Sequence, residues 1–325
     1  MQIRKFFRLA AHTQMLPVLE SGEEILVGGQ AVMEGVMMRA PHSYCVAVRK
    51  PDGTIVTDEK PLAKVSEKYP IFKYPILRGL GTLGQAMQLG IKALRFSADV
   101  AVDDGSAKGE AKPIPGWLMA LNLAFSFGFF IFLYKLVPLW LTTRLGKVFP
   151  AVEGQLAFNL VDGLIRIGIF LAFLYLISRY RDIHRVFEYH GAEHRVVFNY
   201  ESGTPVTIEN AQKFTTLHPR CGTSFLLVVM AISMVIYALV PVSGFVAKFA
   251  IRVALLPVIA GLSYEIIRFA AKRKGSWLAT ITAPGLWLQR ITTQPPSDDQ
   301  TAIAIHALEG AMELEKRQGG ELVIA

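Results

Sequence analysis

Four long apolar runs are the feature that most constrains what this chain can fold into. They cover residues 117–142, 158–178, 224–249 and 251–269. Each is close to the roughly 20 residues that an α-helix needs to cross the hydrocarbon core of a bilayer. Only 18% of the 325 residues are charged, against about 25% in an ordinary soluble domain. The sequence therefore predicts an α-helical integral membrane protein with about four transmembrane helices and a small α+β cytoplasmic region.

Basic residues are distributed unevenly beside these runs. Six lie in the segment 179–223 and four lie at or just after the end of the fourth run, whereas the connection 143–157 has two. Lys and Arg next to membrane-crossing helices accumulate on the cytoplasmic side. We therefore expect the protein in a bacterial inner membrane, with both termini and the segment 179–223 in the cytosol.

The net charge of +8 fits the same topology. The basic residues flank apolar runs and form no dense patch with interleaved aromatic residues, which is the pattern that nucleic-acid binding favours. The charge therefore indicates contacts with membrane lipids, and we expect no nucleic acid among the partners.

The runs divide the chain into five parts. We expect an N-terminal cytoplasmic or membrane-surface region 1–112, a first helix pair 117–178, a cytoplasmic histidine-rich segment 179–223, a second helix pair 224–270, and a last part 271–325. In the last part, the apolar stretch 277–288 is too short to cross a membrane and holds Pro284 and Gly285. It predicts a re-entrant or interfacial segment, followed by a cytoplasmic tail.

Two signals in the N-terminal region predict the α+β unit. Asp52 and Gly53 separate two apolar stretches, which is typical of a β-hairpin turn. Residues 77–102 carry apolar side chains at spacings of three and four, which indicates a helix that lies either in the membrane interface or in the core of this unit. We expect the N-terminal region and the segment 179–223 to form the α+β unit together.

The segment 179–223 holds the strongest chemical signal. Four of the seven histidines fall between residues 184 and 218. His190 and His194 lie one turn apart on a predicted helix, where two imidazoles can hold one metal ion. Glu193 lies between them in sequence and can act as a general base toward water or orient a ligand.

A second pair of ligand residues, His218 and Cys221, follows just before the third apolar run. Three imidazoles and one thiolate suit zinc in a tetrahedral site. Four ligands would make a structural site, whereas three would leave a position for water. In the alternative reading, the histidines hydrogen-bond at a crowded cytoplasmic interface and contact lipid phosphates together with the arginines.

Two further pairs are candidates. Glu34 and Arg39 lie in a glycine-containing stretch, where they either pair, reach the histidine cluster, or belong to a tightly packed turn. Asp162 and Arg166 lie four residues apart in the second apolar run. Charged side chains inside a membrane indicate a functional site, and the alternative is a structural ion pair.

Four strings of this sequence resemble the YqhQ-like family of bacterial multi-span membrane proteins. The strings are residues 28–39, 78–79, 189–194 and 218–225, and the resemblance covers roughly residues 25–295. It implies a multi-span membrane protein that is a metal-dependent enzyme. Arg195 stands where the family has lysine, which keeps the charge. The resemblance directs attention to Glu34, Arg39, His190, Glu193, His194, His218, Arg220 and Cys221.

These candidates support two functions of different classes. The first is a zinc-dependent hydrolase, in which His190, His194 and either His218 or Cys221 hold the metal. In this enzyme Glu193 accepts and donates protons. The second is a non-enzymatic membrane scaffold or biogenesis factor, in which the same residues are structural and the partner is another membrane protein or a nascent chain. A transporter ranks behind both, because the sequence shows no internal repeat.

Overall fold

A small antiparallel sheet opens the part of the chain that the structure describes. The computed structural model describes residues 27–102, 116–218, 221–272 and 278–317. The sheet has the order β1-β2-β3-β4, and its strands are Gly28–Val32, Gly35–Arg39, Ser43–Arg49 and Ile55–Pro61. The predicted hairpin is confirmed, since β3 and β4 pair around Asp52 and Gly53, with Arg49 opposite Ile55.

The rest of the described chain is mostly helical. Before the first apolar run lie α1 and α2, which are Val65–Lys68 and Leu77–Val102. The apolar and histidine-rich parts form α3 to α8, which are Gly116–Ile131, Val137–Val148, Gln155–Ile177, Arg181–Glu201, Ile208–Gln212 and Gly222–Leu239. The chain continues through α9 to α12, which are Phe245–Ala254, Leu256–Lys272, Leu278–Thr292 and Asp298–Arg317.

Helices cover both faces of the sheet. Because side chains alternate along a strand, Met38 and Cys45 point to one face and pack against Tyr189 of α6 and Ile303 of α12. Met37 and Val46 point to the other face and pack against Leu89 of α2. The predicted helix 77–102 therefore contributes one side to the core of the α+β unit, while Met87 on its other side is 67% exposed.

The C-terminal helix α12 is a core element of this unit. The sequence predicts that the residues of α12 belong to a cytoplasmic tail outside the α+β unit. It also predicts a weak apolar stripe there, which includes Ile303 and Ala307. Both side chains are fully buried against the sheet and α6. The stripe is weak because small and polar residues are buried among the large apolar ones. Gly310 lies so close to Cys45 that an added Cβ would be 2.7 Å from its sulfur.

Three helical segments are long and apolar enough to cross a membrane. They are Ala120–Val148, which includes the π-helical turn Phe132–Leu136, together with Gln155–Ile177 and Gly222–Leu239. A fourth would consist of Phe245–Ala254 and Leu256–Phe269, which are bent by 47°. The predicted third run extended to residue 249, but its helix ends at Leu239, because Pro241 cannot continue a helix. Pro257 follows the bend of the fourth segment.

Residues 278–288 of the predicted re-entrant or interfacial segment are part of a 15-residue helix, α11, with Pro284 inside it. The helix packs against α8, where an added Cβ on Gly285 would meet the side chain of Ser224. Its last residue, Thr292, lies beside the histidine-rich helix α6.

Burial of α12 gives a direct test of the fold. Ile303→Ala removes three buried carbons from the sheet interface and should lower the free energy of unfolding by about 2 to 5 kcal/mol. His306→Ala on the exposed side of the same helix is the matched control and should leave stability nearly unchanged. Both are measured by thermal unfolding in detergent, and equal stabilities for the two variants would contradict a core role for α12.

Candidate metal centre

Helix α6 and the start of α8 bring three ligand side chains together. His190 and His194 lie one turn apart on α6, with ring centroids 4.4 Å apart. Cys221 is the N-cap residue of α8. One ligand atom from each of the three lies within 4.8 Å of the others. We call these three residues the ligand triad, and two imidazoles with one thiolate are a donor set that suits zinc.

Both imidazoles are oriented by backbone carbonyls. Nδ1 of His190 lies 2.7 Å from the carbonyl oxygen of Thr292, and Nδ1 of His194 lies 2.5 Å from that of Thr216. A carbonyl oxygen can only accept a hydrogen bond, so each Nδ1 donates its proton. In a neutral imidazole this leaves the lone pair on Nε2, which is the atom available to a metal.

Gly191 allows the contact that orients His190. A Cβ at this position would lie 2.0 Å from the carbonyl oxygen of Gln294, so only glycine lets α6 approach this segment. The approach is closed by a hydrogen bond from the amide of Gln294 to the carbonyl of Phe187, at 2.9 Å. The chain after α11 is thereby fixed against α6 by a bond that joins the residue two positions after Thr292 to the residue three positions before His190.

Cys221 lies in surroundings that favour its thiolate. Its sulfur is 3.2 Å from Nε2 of His190 and 3.2 Å from the hydroxyl of Thr223. Burial opposes ionisation of the thiol, but interactions with His194 and Thr223 outweigh it, so the pKa of Cys221 lies below its usual value. Burial also lowers the pKa of His194, which keeps the ring neutral as a metal ligand requires.

Glu193 is a buried carboxyl group beside the triad. It lies under β1, where a Cβ on Gly29 would be 2.8 Å from its Cγ. Burial raises the pKa of Glu193 to about 7, the thiol of Cys221 acts in the same direction, and His190 and the backbone of Gly29 oppose the shift. A carboxyl group with a pKa near neutrality can both accept and release a proton at cellular pH.

A cavity of about 440 Å³ lies along this cluster. One wall is β1 with Gly28 and Gly29, and the opposite wall is α6 and the start of α8. The triad and Glu193 line it. Its size falls in the range of small-molecule sites, so a metal held by the triad would face open space and a carboxyl group together.

His218, the fourth predicted ligand, lies beside the triad but is not one of the three residues whose ligand atoms converge. Its ring centroid is 5.4 Å from that of His194 and 4.4 Å from that of Phe198. Its Nε2 lies 3.6 Å from a carboxylate oxygen of Glu201. Burial lowers the pKa of His218 to about 4. The structure therefore brings together the ligand atoms of three of the four predicted ligands, while His218 lines the same cavity beside them.

Glu34 and Arg39 neither pair nor reach the histidines, so those two expectations are wrong. The carboxylate of Glu34 accepts two hydrogen bonds from Arg185, both at 2.5 Å, and one from the hydroxyl of Tyr189 at 3.2 Å. Arg39 donates to Gln85 instead. Glu34 occupies the β1–β2 turn with a φ of +50°, so the alternative of a packed turn is the one that the structure has. These contacts fasten β1 to α6.

The other predicted candidates lie apart from the triad. Asp162 and Arg166 are buried in the middle of α5, where they pair with each other. Arg220 lies outside the described residues. Sequence reasoning missed Thr216 and Thr292, because a backbone carbonyl leaves no signal in the sequence. The glycine between the two histidines, Gly191, was the available sign of a close contact there.

The two cysteines of the chain should react differently, which tests this geometry. Cys221 lines the cavity and favours its thiolate, whereas Cys45 is fully buried and burial raises its pKa to about 12. Iodoacetamide added at neutral pH to chelator-treated protein should therefore modify Cys221 first and leave Cys45 intact until the protein unfolds. Peptide mass spectrometry measures both sites, and equal rates would contradict the described environments.

Comparison with known proteins places this site in a family. A family model described as "Protein of unknown function (DUF1385)" matches residues 74–314, which include the whole triad. The "Uncharacterized protein YqhQ" of Bacillus subtilis (strain 168) is 37% identical over 297 residues, which cover 89% of this chain and 92% of that protein. No solved structure matches the chain significantly. The chain belongs to the DUF1385 family of YqhQ-like proteins.

Proposed function

We propose that this protein is a zinc-dependent hydrolase of the bacterial inner membrane, with its site on the cytoplasmic side. The observation that carries the proposal is the orientation of the triad. Two imidazoles donate their Nδ1 protons to backbone carbonyls, and Cys221 completes a set of three converging ligand atoms. The cavity with the buried Glu193 lies on the remaining side.

Membrane insertion is supported by the surface of the apolar helices. Large apolar side chains stand out from them, and Phe125, Leu156 and Leu239 are each 74% exposed. Such a surface is unstable in water and matches the interior of a bilayer. With four crossings, counting the bent pair as one, the excess of Lys and Arg supports a cytosolic position for the termini and the triad.

The donor set supports zinc as the proposed metal. A thiolate with two imidazoles favours zinc over magnesium or calcium, which take oxygen ligands. Three protein ligands and one open position are the pattern of catalytic zinc, whereas structural zinc sites have four protein ligands. His218 would supply the fourth, but its Nε2 faces Glu201.

The residues of this chain suit hydrolysis. Bound zinc would act as a Lewis acid that polarises a substrate carbonyl or phosphoryl group. Glu193, whose pKa is about 7, would take a proton from the attacking water and return it to the leaving group. The cavity walls at Gly28 and Gly29 leave the backbone of β1 accessible to the substrate.

One observation favours the alternative of a scaffold. The triad and its two carbonyls join α6, the segment before α8, and the ends of α8 and α11. A metal bound there would hold these elements together even if it took no part in catalysis. In that case the partner would be another membrane protein or a nascent chain, and Glu193 would matter only through packing.

Metal content tests the site itself. Detergent-purified wild-type protein should contain about one zinc per chain, because three ligands converge at the triad. His190→Ala and Cys221→Ala should each lose most of it, as measured by elemental analysis. His184→Ala is the matched control, since His184 is a half-exposed residue on the same helix that pairs with Glu188. Its zinc content should equal that of the wild type.

Absence of metal from wild-type protein purified without chelators would contradict the proposal. So would retention of zinc by both triad variants. Loss of zinc from His184→Ala as strongly as from His190→Ala would show that the assay reports general damage to α6 rather than the triad.

Glu193→Gln separates the enzyme from the scaffold. The substitution keeps the size of the buried side chain and removes its ability to take a proton. Zinc content and melting temperature should stay near the wild-type values, while hydrolysis of ester, amide and phosphoester test substrates falls by about 100-fold or more. Glu188→Gln, on the same helix beside His184, should hydrolyse them at the wild-type rate. Equal rates in Glu193→Gln and wild type would favour the scaffold.

A further inference from the structure

A second buried cluster of charges lies between the apolar helices, apart from the triad. We call Lys135, Asp162, Arg166 and Arg252 the basic cluster. Their exposed fractions are 5%, 1%, 2% and 2%. Lys135 comes from the π-helical turn, Asp162 and Arg166 from α5, and Arg252 from α9.

One carboxylate serves two guanidinium groups. Oδ1 of Asp162 accepts a hydrogen bond from Arg252 at 2.5 Å, and Oδ2 accepts one from Arg166. Arg252 also donates to Asn159 at 2.9 Å, and Arg166 donates to Ser233 at 2.7 Å. The predicted pair of Asp162 and Arg166 is therefore part of a larger network.

All three basic side chains of the cluster lie close to the ring of Tyr237. Lys135, Arg166 and Arg252 lie 5.2, 5.4 and 5.1 Å from its centroid. The hydroxyl of Tyr237 accepts a hydrogen bond from Lys135 at 3.0 Å and donates one to the carbonyl of Arg252 at 3.0 Å. A phenol ring is a weak partner for cations and supplies no negative charge of its own.

The cluster holds more positive than negative charge. Among the described residues, Asp162 is the one acidic side chain paired with the cluster's cations, and it pairs with Arg166 and Arg252 while Lys135 bonds to the hydroxyl of Tyr237. Buried charge away from water is costly unless it is paired, so a cluster with three basic groups and one carboxylate would be stabilised by an outside negative charge. Arg166 adds to this requirement, because its buried Nε has no hydrogen-bond partner among the described residues.

A small cavity leads from the cluster to the surface. It has about 30 Å³ of space, and its lining includes one member of the basic cluster, Arg252, together with Asn159 and Tyr237, which contact the cluster. Lys248, which is half-buried, lines it together with Phe158, whose ring centroid is 3.9 Å from the ammonium group. The cavity thus has cationic groups at its base and on its wall.

We propose that the basic cluster and this cavity bind a phosphate group, presented either by an anionic phospholipid or as inorganic phosphate. The space accepts one or two oxygen-sized atoms. Phosphate oxygens would reach Arg252 and Asn159, and the rest of the group would remain near Lys248. Arginine and lysine are the side chains that proteins use for phosphate recognition.

The position of the cavity favours the lipid as the source. Gln155, the first residue of α5, and Val240, which follows the last residue of α8, both line it. The cavity therefore lies at the ends of two apolar helices, where lipid headgroups lie if these helices cross the membrane as proposed. This inference does not depend on zinc at the triad.

Thermal unfolding of the full chain in detergent tests the site. Phosphatidylglycerol, phosphatidylcholine and inorganic phosphate are titrated separately, and the melting temperature is followed at each concentration. Phosphatidylglycerol should raise it more than phosphatidylcholine. Lys248→Gln should weaken the apparent affinity by about fivefold, because it removes one basic residue near the phosphate. Lys147→Gln removes an exposed lysine at the end of α4 and is the matched control.

Each outcome decides the proposal. An increase of the melting temperature with phosphatidylglycerol supports a lipid site if it is weaker in Lys248→Gln and unchanged in Lys147→Gln. If only inorganic phosphate raises the melting temperature, and Lys248→Gln weakens that increase, the site binds the free anion. Equal effects of the two lipids without any effect of inorganic phosphate would overturn it, as would equal affinities in the two variants. The basic cluster would then be a structural network only.

Discussion

Two hydrogen bonds from imidazole to backbone carbonyl are the interactions on which the account of this protein depends. They hold His190 against the end of α11 and His194 against the loop before α8. Without them the rings could rotate, and the three ligand atoms would have no common point. Gly191 makes the first of these bonds possible by allowing the chain after α11 to approach α6. The triad is therefore a product of how four segments pack.

The α+β unit supplies the other half of the site. Glu34 binds Arg185 and Tyr189, which holds β1 over the middle of α6. Strand β1 in turn covers Glu193, and this burial raises the pKa of its carboxyl group. The sheet itself is held between α2 and the pair α6 and α12. A residue such as Ile303 thus supports the environment of Glu193 through several layers of packing.

The sequence was informative where a local pattern determines the structure. Apolar runs predicted the long helices, turn residues predicted the β3–β4 hairpin, and the spacing of His190 and His194 placed both rings on one face of a helix. It was less informative where contacts are distant in the chain. The buried face of α12 mixes large apolar residues with small and polar ones, so its weak apolar pattern did not indicate a core helix. The partners of Glu34 lie about 150 residues away, and nothing near Glu34 indicated them. The sequence left either His218 or Cys221 as the third metal ligand. The folded loop before α8 is what brings Cys221, rather than His218, to the two histidines.

X-ray absorption at the zinc edge of the purified protein tests the central claim most directly. The account predicts a first shell of two imidazole nitrogens at about 2.0–2.1 Å, one sulfur at about 2.3 Å, and one further light atom that an added anion replaces. Cys221→Ser should remove the sulfur from this shell. A shell of three imidazoles without sulfur, or four protein ligands with no exchangeable position, would contradict an open site at His190, His194 and Cys221.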